Sequence, residues 1–294
     1  MQTKDLRDLL LLAAIWGGSF LFMRLAVNDF GPVAFIEMRI GISAIFLLIL
    51  SAFMGKLDAL KTHWKAISVC GVFNVALPFF CFAYAAQTVP AGTLAVINAM
   101  VPLCGALIAR VWLHERLTWL RALGLLIGFA GILVLVWEDL SFHANGSGWP
   151  VLVALGAPFF YGIAACYTTK YLKGVDPIAC ATGSVTASAL LLLPLAIWTW
   201  PATPISNVAW GSAVAVAILC TGIAYIIFFG LIARVGATKA ITVTFLVPVF
   251  GIFWGALLLD EAITTAVVTG AAIVLCGTLL ATGILERRRT VVEA

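Results

Sequence analysis

Residues 98–133 read NAMVPLCGALIARVWLHERLTWLRALGLLIGFAGIL, and residues 244–279 repeat them as TFLVPVFGIFWGALLLDEAITTAVVTGAAIVLCGTL. Each copy is an apolar run broken by a proline, then a polar elbow in which Glu precedes Thr, then a second apolar run with two glycines seven residues apart. The pattern predicts two membrane helices joined by a tight turn and duplicated in tandem. Ten residues recur at an offset of 146 positions, and in the first copy they are Val101, Pro102, Gly105, Leu113, Glu115, Thr118, Gly124, Ile127, Gly131 and Leu133.

The composition excludes a soluble protein. Hydrophobic residues make up 63% of the 294 residues and charged residues only 10%, with a mean hydropathy of +1.13. One soluble core cannot bury so many apolar side chains, so the chain is predicted to be all-α and polytopic, with the lipid bilayer as its solvent. The seven cysteines all fall in apolar runs without a CxxC pair, which indicates small buried hydrophobes rather than disulfides or metal ligands.

Ten apolar runs are long enough to cross a hydrocarbon core of roughly 30 Å. Fifteen of the 17 basic residues fall on segments that share one side of the membrane, and the opposite connections hold none, so both termini are predicted to be cytoplasmic. The two exceptions, Arg24 and Arg39, lie within spans. The runs cover residues 9–27, 33–53, 66–86, 92–113, 119–137, 149–169, 177–200, 208–233, 238–259 and 263–285.

This topology makes the two copies inverted relative to each other, because spans one to five begin inside and spans six to ten begin outside. Residues 1–140 form the first five-helix repeat, residues 141–148 an external linker, and residues 149–294 the second repeat with a short basic cytoplasmic tail. Inverted repeats are typical of secondary transporters, in which the substrate site lies near the midplane between the halves. Fainter matches at an offset of 145, Trp16 with Tyr161 among them, agree with this division.

Several short motifs carry a family resemblance: Trp16-Gly-Gly-Ser-Phe20, then Arg24, then Gly31-Pro32, then Met38-Arg39, together with the duplicated proline, glycine, Glu, Thr pattern. Over essentially the whole chain they resemble the EamA-type transporters of the drug/metabolite transporter superfamily. The resemblance implies a ten-helix carrier in which helices 1, 3, 4, 6, 8 and 9 surround a cavity. It also implies a bacterial inner membrane, export as the direction, and amino acids, other metabolites or drugs as solutes.

Three prolines within spans each follow a polar residue by four positions. A proline removes the hydrogen bond to the carbonyl four residues earlier, so each pair predicts a helix kink with a free carbonyl beside a polar side chain. The group either forms the polar part of a substrate site or is a simple kink whose carbonyl a neighbouring hydroxyl satisfies. The pairs are Asn74 with Pro78, Asn98 with Pro102, and Thr244 with Pro248.

Aromatic residues are the candidate walls of the site. With few fixed charges nearby, they favour an amphipathic or aromatic organic solute, although aromatic residues also fill helix interfaces. The candidates are Trp16, Phe20, Tyr84, Tyr161, Tyr225 and Phe228.

Charges inside a membrane are costly and therefore indicate function or pairing. Arg24 near the end of the first span and Glu37 in the second are close enough in depth to pair. Either they form an ion pair that locks two helices, or Arg24, Glu37 and Arg39 handle substrate or protons, with the proton as the candidate coupling ion.

Enzyme hypotheses find little support. The three histidines lie in or beside loops, and no HExxH, GxSxG or P-loop pattern occurs. No catalytic residue, metal, cofactor or nucleic acid is therefore predicted. The stronger rival to a carrier is a channel or a facilitator without ion coupling, but no charged or carbonyl-rich filter loop is present.

Glycines in the fifth and tenth spans allow close helix packing, either between the halves of a monomer or in a homodimer.

Overall fold

The computed structural model describes residues 3–115, 117–137 and 148–282, and these residues fold entirely as helices joined by short connections. Most of the predicted linker, Arg116 and the basic tail lie outside the described residues. The helices are α1 (Thr3–Phe30), α2 (Pro32–Phe53), α3 (Leu57–Gly71), α4 (Leu77–Ala85), α5 (Ala91–Asn98), α6 (Val101–Trp112), α7 (Trp119–Val136), α8 (Gly148–Tyr171), α9 (Pro177–Trp198), α10 (Asn207–Ala217), α11 (Ala224–Val235), α12 (Ala237–Ala240), α13 (Val247–Leu259) and α14 (Thr265–Ala281).

Eight helical segments among the described residues are long and apolar enough to cross a membrane. Two of them are the composite segments α3–α4 and α10–α11, and a third consists of α5 and α6. The helices α13 and α14 are apolar but shorter. The protein is a multi-pass membrane protein, because apolar helices of this length satisfy their own backbone hydrogen bonds in lipid.

Two helices start earlier than their apolar runs. The first begins at Thr3 rather than residue 9, and the third at Leu57 rather than residue 66. These added turns are polar on one face, and α3 exposes Lys61 and Thr62 while Ile67 is buried. A helix continues into an amphipathic segment because its backbone hydrogen bonds persist there, whereas hydropathy marks only the part that faces lipid.

Hydrogen bonding is irregular at repeat-related places. The turns Val72–Ala76 between α3 and α4 and Ile218–Ile223 between α10 and α11 are π-helical, and their first residues are 146 positions apart. Pro78 follows the first turn, but Ala224 stands at the equivalent place after the second. Proline is therefore not the common cause of the two turns.

The α5–α6 segment is interrupted at residues 99–100, and a 3-10 turn, Ile241–Phe245, precedes α13. Pro102 and Pro248 lie in the first turns of α6 and α13. A proline is tolerated at that position because the N–H that it lacks would have had no partner inside the helix.

Glycines join the two repeats along α7 and α14, which pack closely against each other. A Cβ on Gly131 would lie 2.7 Å from the Val274 nitrogen, and one on Gly270 would lie 2.8 Å from Leu135 Cβ. Side chains at these positions would force the helices apart, as at small-residue contacts in membrane proteins generally. The glycine stripe thus packs the two halves of one chain.

Consecutive spans run in opposite directions, so the bundle has two ends. We call the end at which α1 begins the terminal end and the end at which α1 finishes the far end. Arg234 binds Asp5 and Asp8 at the terminal end, where Lys56 also pairs with Asp176. The largest group of buried apolar residues lies between these ends and draws on helices of both repeats.

Candidate functional site

A cavity of about 300 Å³ lies between α3, α8, α9 and α11. It extends from the middle of the bundle to the α8–α9 connection at the terminal end, where Leu172 and Val175 line it. Three of the predicted substrate-binding residues, Asn74, Tyr225 and Phe228, are in its wall. The polar wall residues Cys70, Asn74, Thr168 and Ser184 face the cavity together with Tyr225, Phe228 and Phe229.

Trp16 is behind one wall of this cavity. Its ring packs on Phe228 with centroids 5.2 Å apart, and its Nε1 donates a hydrogen bond of 3.2 Å to the Cys220 carbonyl. Cys220 lies in the π-helical turn of the second repeat, and its Sγ donates to the Ile15 carbonyl at 3.1 Å. The irregular turn thus supplies a carbonyl that holds an aromatic side chain of the first repeat in place.

Arg39 occupies the centre of the bundle beside the cavity. Its side chain is only 7% exposed, and its Cζ lies 3.9 Å from the centroid of the Phe79 ring. Tyr161 and Tyr225 of the second repeat are within electrostatic reach of the guanidinium, as is Cys220. Phe79 and Tyr225 are equivalent residues of the two repeats. Both lie near Arg39, which itself has no equivalent cation in the second repeat.

Trp16 and Tyr161 are not wall residues of this cavity, and neither are the four other predicted substrate-binding residues. Phe20 packs edge-on against Phe82 in the core, at 5.4 Å between ring centroids. Tyr84 stacks on Phe80 and is 36% exposed. Asn98 ends α5, and Thr244 lies in the 3-10 turn, where its hydroxyl donates to the Ile241 carbonyl at 2.8 Å. The cavity is therefore built from fewer of the proline-associated residues than the pattern predicts.

The predicted pairing of Arg24 with Glu37 is not formed. Arg24 Nε instead lies 3.5 Å from Glu261 Oε1, and its NH1 donates to the Ala86 carbonyl at 2.7 Å. The similar depths of Arg24 and Glu37 along their helices suggested that the two residues pair. The packing of α1 against α13 instead brings Glu261 closer to Arg24. Glu37 is 8% exposed, and its Oε2 makes no hydrogen bond within the described ranges.

Glu261 also closes the far end of the bundle. Its two carboxylate oxygens accept hydrogen bonds from the backbone N–H groups of Ala91, at 2.9 Å, and Gly92, at 3.3 Å. These groups begin α5, where the helix dipole favours a negative charge. We call this arrangement of Glu261, Arg24 and the start of α5 the Glu261 clasp.

The two ends of the bundle are packed differently. At the far end α5 packs tightly on α13, and a Cβ on Gly251 would collide with Ala95 Cβ. The equivalent Gly105 in α6 would meet nothing within 4 Å. Among the described residues α6 has no comparable packing against the segment that precedes α13. At the far end α5 and α13 are thus in close contact, while the terminal end leaves room at the equivalent place.

Sequence reasoning missed Phe79 as the neighbour of Arg39, Cys220 as the partner of Trp16, and Glu261 as the partner of Arg24. The repeat contained a usable signal for the first, because Phe79 is the counterpart of Tyr225. Nothing in the sequence indicated that the Cys220 carbonyl would hold Trp16, since the bond depends on a π-helical turn.

Residues 9–137 and 148–283 each match the model of the EamA-like transporter family. The uncharacterised transporter YoaV of Bacillus subtilis is 26% identical over 298 residues, covering 98% of this chain and 100% of that protein. A probable terminal-alkyne amino-acid exporter of Streptantibioticus cattleyicolor is 23% identical and covers 95% of this chain and 93% of its own. One crystal structure of a protein that is 20% identical superimposes with a TM-score of 0.66 over 98% of this chain and 99% of that chain, and so has the same fold.

Proposed function

The chain belongs to the EamA-like transporter family, and from that premise we propose that it is a secondary transporter that exports a small amphipathic or aromatic organic solute, an amino acid or a drug, by alternating access. The cavity between α3, α8, α9 and α11 carries this proposal. Its volume of about 300 Å³ is at the lower end of the range for small-molecule sites. Aromatic rings on one side and hydroxyl, thiol and amide groups on the other suit a solute with an apolar body and a polar end.

Alternating access is supported by the difference between the two ends. The repeats share their sequence pattern, yet a Cβ on Gly251 would collide with Ala95 whereas one on Gly105 would meet no atom within 4 Å. If the equivalent segments exchange these environments, the terminal end closes as the far end opens, and the cavity changes sides. A channel requires both ends to be open together, so this asymmetry favours a carrier.

The proposed topology has ten spans. The segment from Ala237 to Leu259 crosses the membrane as a broken helix, and α14 crosses although it has only 17 residues among those described. The terminal end carries most of the basic residues and is proposed to be cytoplasmic. The cavity would then open to the cytoplasm, which is where an exporter takes up its solute.

Glu37 is the proposed proton carrier. Its carboxyl group is buried, and because Arg24 pairs with Glu261 the predicted cationic partner is absent. A carboxylic acid in such surroundings can bind and release a proton as its environment changes between two conformations. Glu37→Gln is expected to keep solute binding and to abolish accumulation driven by a proton gradient. Unchanged gradient-driven accumulation would exclude this role.

The transport proposal is tested with purified protein in liposomes. Uptake of radiolabelled aromatic amino acids and of cationic drugs is measured with and without an imposed proton gradient. We expect saturable uptake of at least one of these compounds at a carrier's rate, with stimulation by the gradient. Unsaturable, channel-like flux or no flux of any compound would overturn the proposal.

A further inference from the structure

Arg39 is a buried cation that forms no ion pair with an acidic residue in the described part of the chain. Its side chain is more than nine-tenths buried, and its Nε makes no hydrogen bond to any described residue. The contact with Phe79 and the proximity of two tyrosines compensate the charge only in part, because rings and hydroxyl groups stabilise a desolvated guanidinium less than a carboxylate does.

No carboxylate of the surrounding helices can supply the missing charge. Arg39 is contacted or approached by α4, α8, α11 and the turn between α10 and α11, and none of these contains an acidic residue. Between Gly148 and Val235 the one acidic residue is Asp176, which pairs with Lys56 at the terminal end. Glu37 is two positions away on the same helix and therefore projects from a different face.

Duplication did not produce this cation. The residue equivalent to Arg39 in the second repeat is Ser184, a wall residue of the cavity, so the bundle has one such guanidinium and not a related pair. The aromatic residues around it, Phe79 and Tyr225, are on the other hand equivalent. Tyr225 is both a wall residue of the cavity and a neighbour of the guanidinium, so it connects the cation with the space that a solute would fill.

We propose that Arg39 binds a carboxylate group of the transported solute, with Tyr225 and Phe228 against the apolar body. This inference rests on the transport function proposed for the cavity. A guanidinium presents a planar set of N–H donors that match the two oxygens of a carboxylate. The solute class is then organic acids with an aromatic or other apolar body, amino acids included, and excludes solutes with a cationic group alone.

The first test measures thermal stability without any solute. Arg39→Met removes the charge and keeps most of the side-chain length, so the purified variant is expected to unfold at a higher temperature than the parent protein. Arg24→Met is the matched control, because it removes a paired cation and leaves Glu261 with its backbone N–H partners only, and it is expected to lower the unfolding temperature. If Arg39→Met lowers the unfolding temperature as much as the control, Arg39 is a structural residue and the inference is wrong.

The second test measures binding to purified protein of matched pairs, L-phenylalanine with L-phenylalaninamide and 3-phenylpropionate with 3-phenylpropanamide. The parent protein is expected to bind each carboxylate at least about 10-fold more tightly than its amide. Arg39→Met is expected to remove this preference, and Arg39→Lys to restore part of it. A preference that survives in Arg39→Met, or equal binding of acid and amide by the parent protein, would overturn the carboxylate site.

The outcomes separate this inference from the proposed function. Saturable transport of cationic drugs or amides, without binding of either carboxylate, would retain the carrier and reject the role of Arg39. Absence of transport for every compound would reject the carrier and the inference with it.

Discussion

The two repeat-related elbows share their backbone conformation at the residues that the structure describes, 113–115, 117–118 and 259–264, but differ in their surroundings. His114 and Asp260 are both left-handed, at φ 57° and 53°, and both are residue types that tolerate this conformation. The Glu that follows donates its N–H to the carbonyl six residues earlier in each elbow, and Thr118 and Thr264 cap the next helices. Local sequence therefore specifies each elbow independently of the rest of the fold.

The acidic residues of the elbows differ in what they contact. Glu261 is held by Arg24 and by the start of α5, and its side chain is only 13% exposed. Glu115 is exposed. Since the backbones agree, the difference comes from how α5 and its counterpart are placed, which is a property of the conformation. The comparison teaches that two elbows with the same local backbone can have different partners, because the helices around them are placed differently at the two ends of the bundle.

The largest effect is expected for the two equivalent glycines. Gly251→Val forces α13 away from Ala95, and overpacking of this kind costs about 1–3 kcal/mol, which shifts the conformational equilibrium about 5- to 150-fold. A cysteine at Thr93, buried at the far end, should then react faster with a thiol reagent in an otherwise cysteine-free protein.

Gly105→Val is the matched variant, and it is expected to leave Thr93→Cys protected because its Cβ meets open space in this conformation. Both substitutions should slow transport, since each blocks closure of one end. Equal labelling in the two variants would contradict the assignment of a closed far end.

A smaller effect is expected for the Glu261 clasp. Glu261→Gln removes the ion pair with Arg24 and weakens the charge-assisted bonds to Ala91 and Gly92, at a cost of about 1.5 kcal/mol, or about 10-fold in the opening equilibrium. The rate at which a thiol reagent labels Thr93→Cys measures this change in the opening equilibrium. Glu115→Gln is the control and should leave that labelling unchanged; an equal increase in both variants would show that the clasp does not hold the far end.

Trp16 and Tyr161 are repeat-related residues that, like the two elbows, differ in their contacts. Trp16 Nε1 bonds to the Cys220 carbonyl, and no equivalent bond from Tyr161 is formed within the described ranges. Trp16→Phe is expected to lower the free energy of unfolding by about 1 kcal/mol, measured by thermal denaturation in detergent. Tyr161→Phe should change it less, and the reverse order would indicate that the Cys220 bond contributes little.

The smallest effect is expected for the terminal-end pair of Lys56 and Asp176, joined at 2.9 Å. Burial raises the pKa of Asp176, but hydrogen bonds from Lys56 and from the N–H groups of Ala179 and Ile178 outweigh it and leave the pKa below its ordinary value. The stabilisation is therefore fully present above the unfolded pKa of about 3.9 and is lost as the pH falls through the lower, folded pKa.

Because the pair is partly exposed, its contribution is at most about 1 kcal/mol. Asp176→Asn keeps a good helix cap and removes the charge, so the stability difference between parent and variant should shrink as the pH falls below about 4. A difference that stays constant from pH 6 to pH 3 would show that the cap alone matters.

Sequence reasoning reached the family, the all-helical membrane class and the course of the helices from properties that each segment carries by itself. A run of about 20 apolar residues, a proline and a repeated elbow act locally, so their positions can be read without knowing what packs on them. The errors lie at polar helix starts such as Leu57, because hydropathy reports the lipid-facing length and not the hydrogen-bonded length.

The substrate site was harder to predict from the sequence than the helices were. Asn74, Tyr225 and Phe228 meet at one cavity, but no periodicity relates residues of the turn after α3 to residues of α11. Long-range partners depend on which helices touch, and a shift of one turn replaces every partner on a helix face.

The sequence alone determined that this chain is a duplicated, many-helix membrane protein with two glycine-lined segments and with prolines inside its apolar runs, because duplication, apolar length and turn-forming residues are local. Only the tertiary structure decided that Arg24 meets Glu261 instead of Glu37, that Arg39 pairs with none of the described carboxylates, and that α5 fills the space beside Gly251 while the equivalent space beside Gly105 is open. Those outcomes depend on how whole helices are placed relative to one another. Many weak contacts together determine that placement, and no single segment of sequence specifies it.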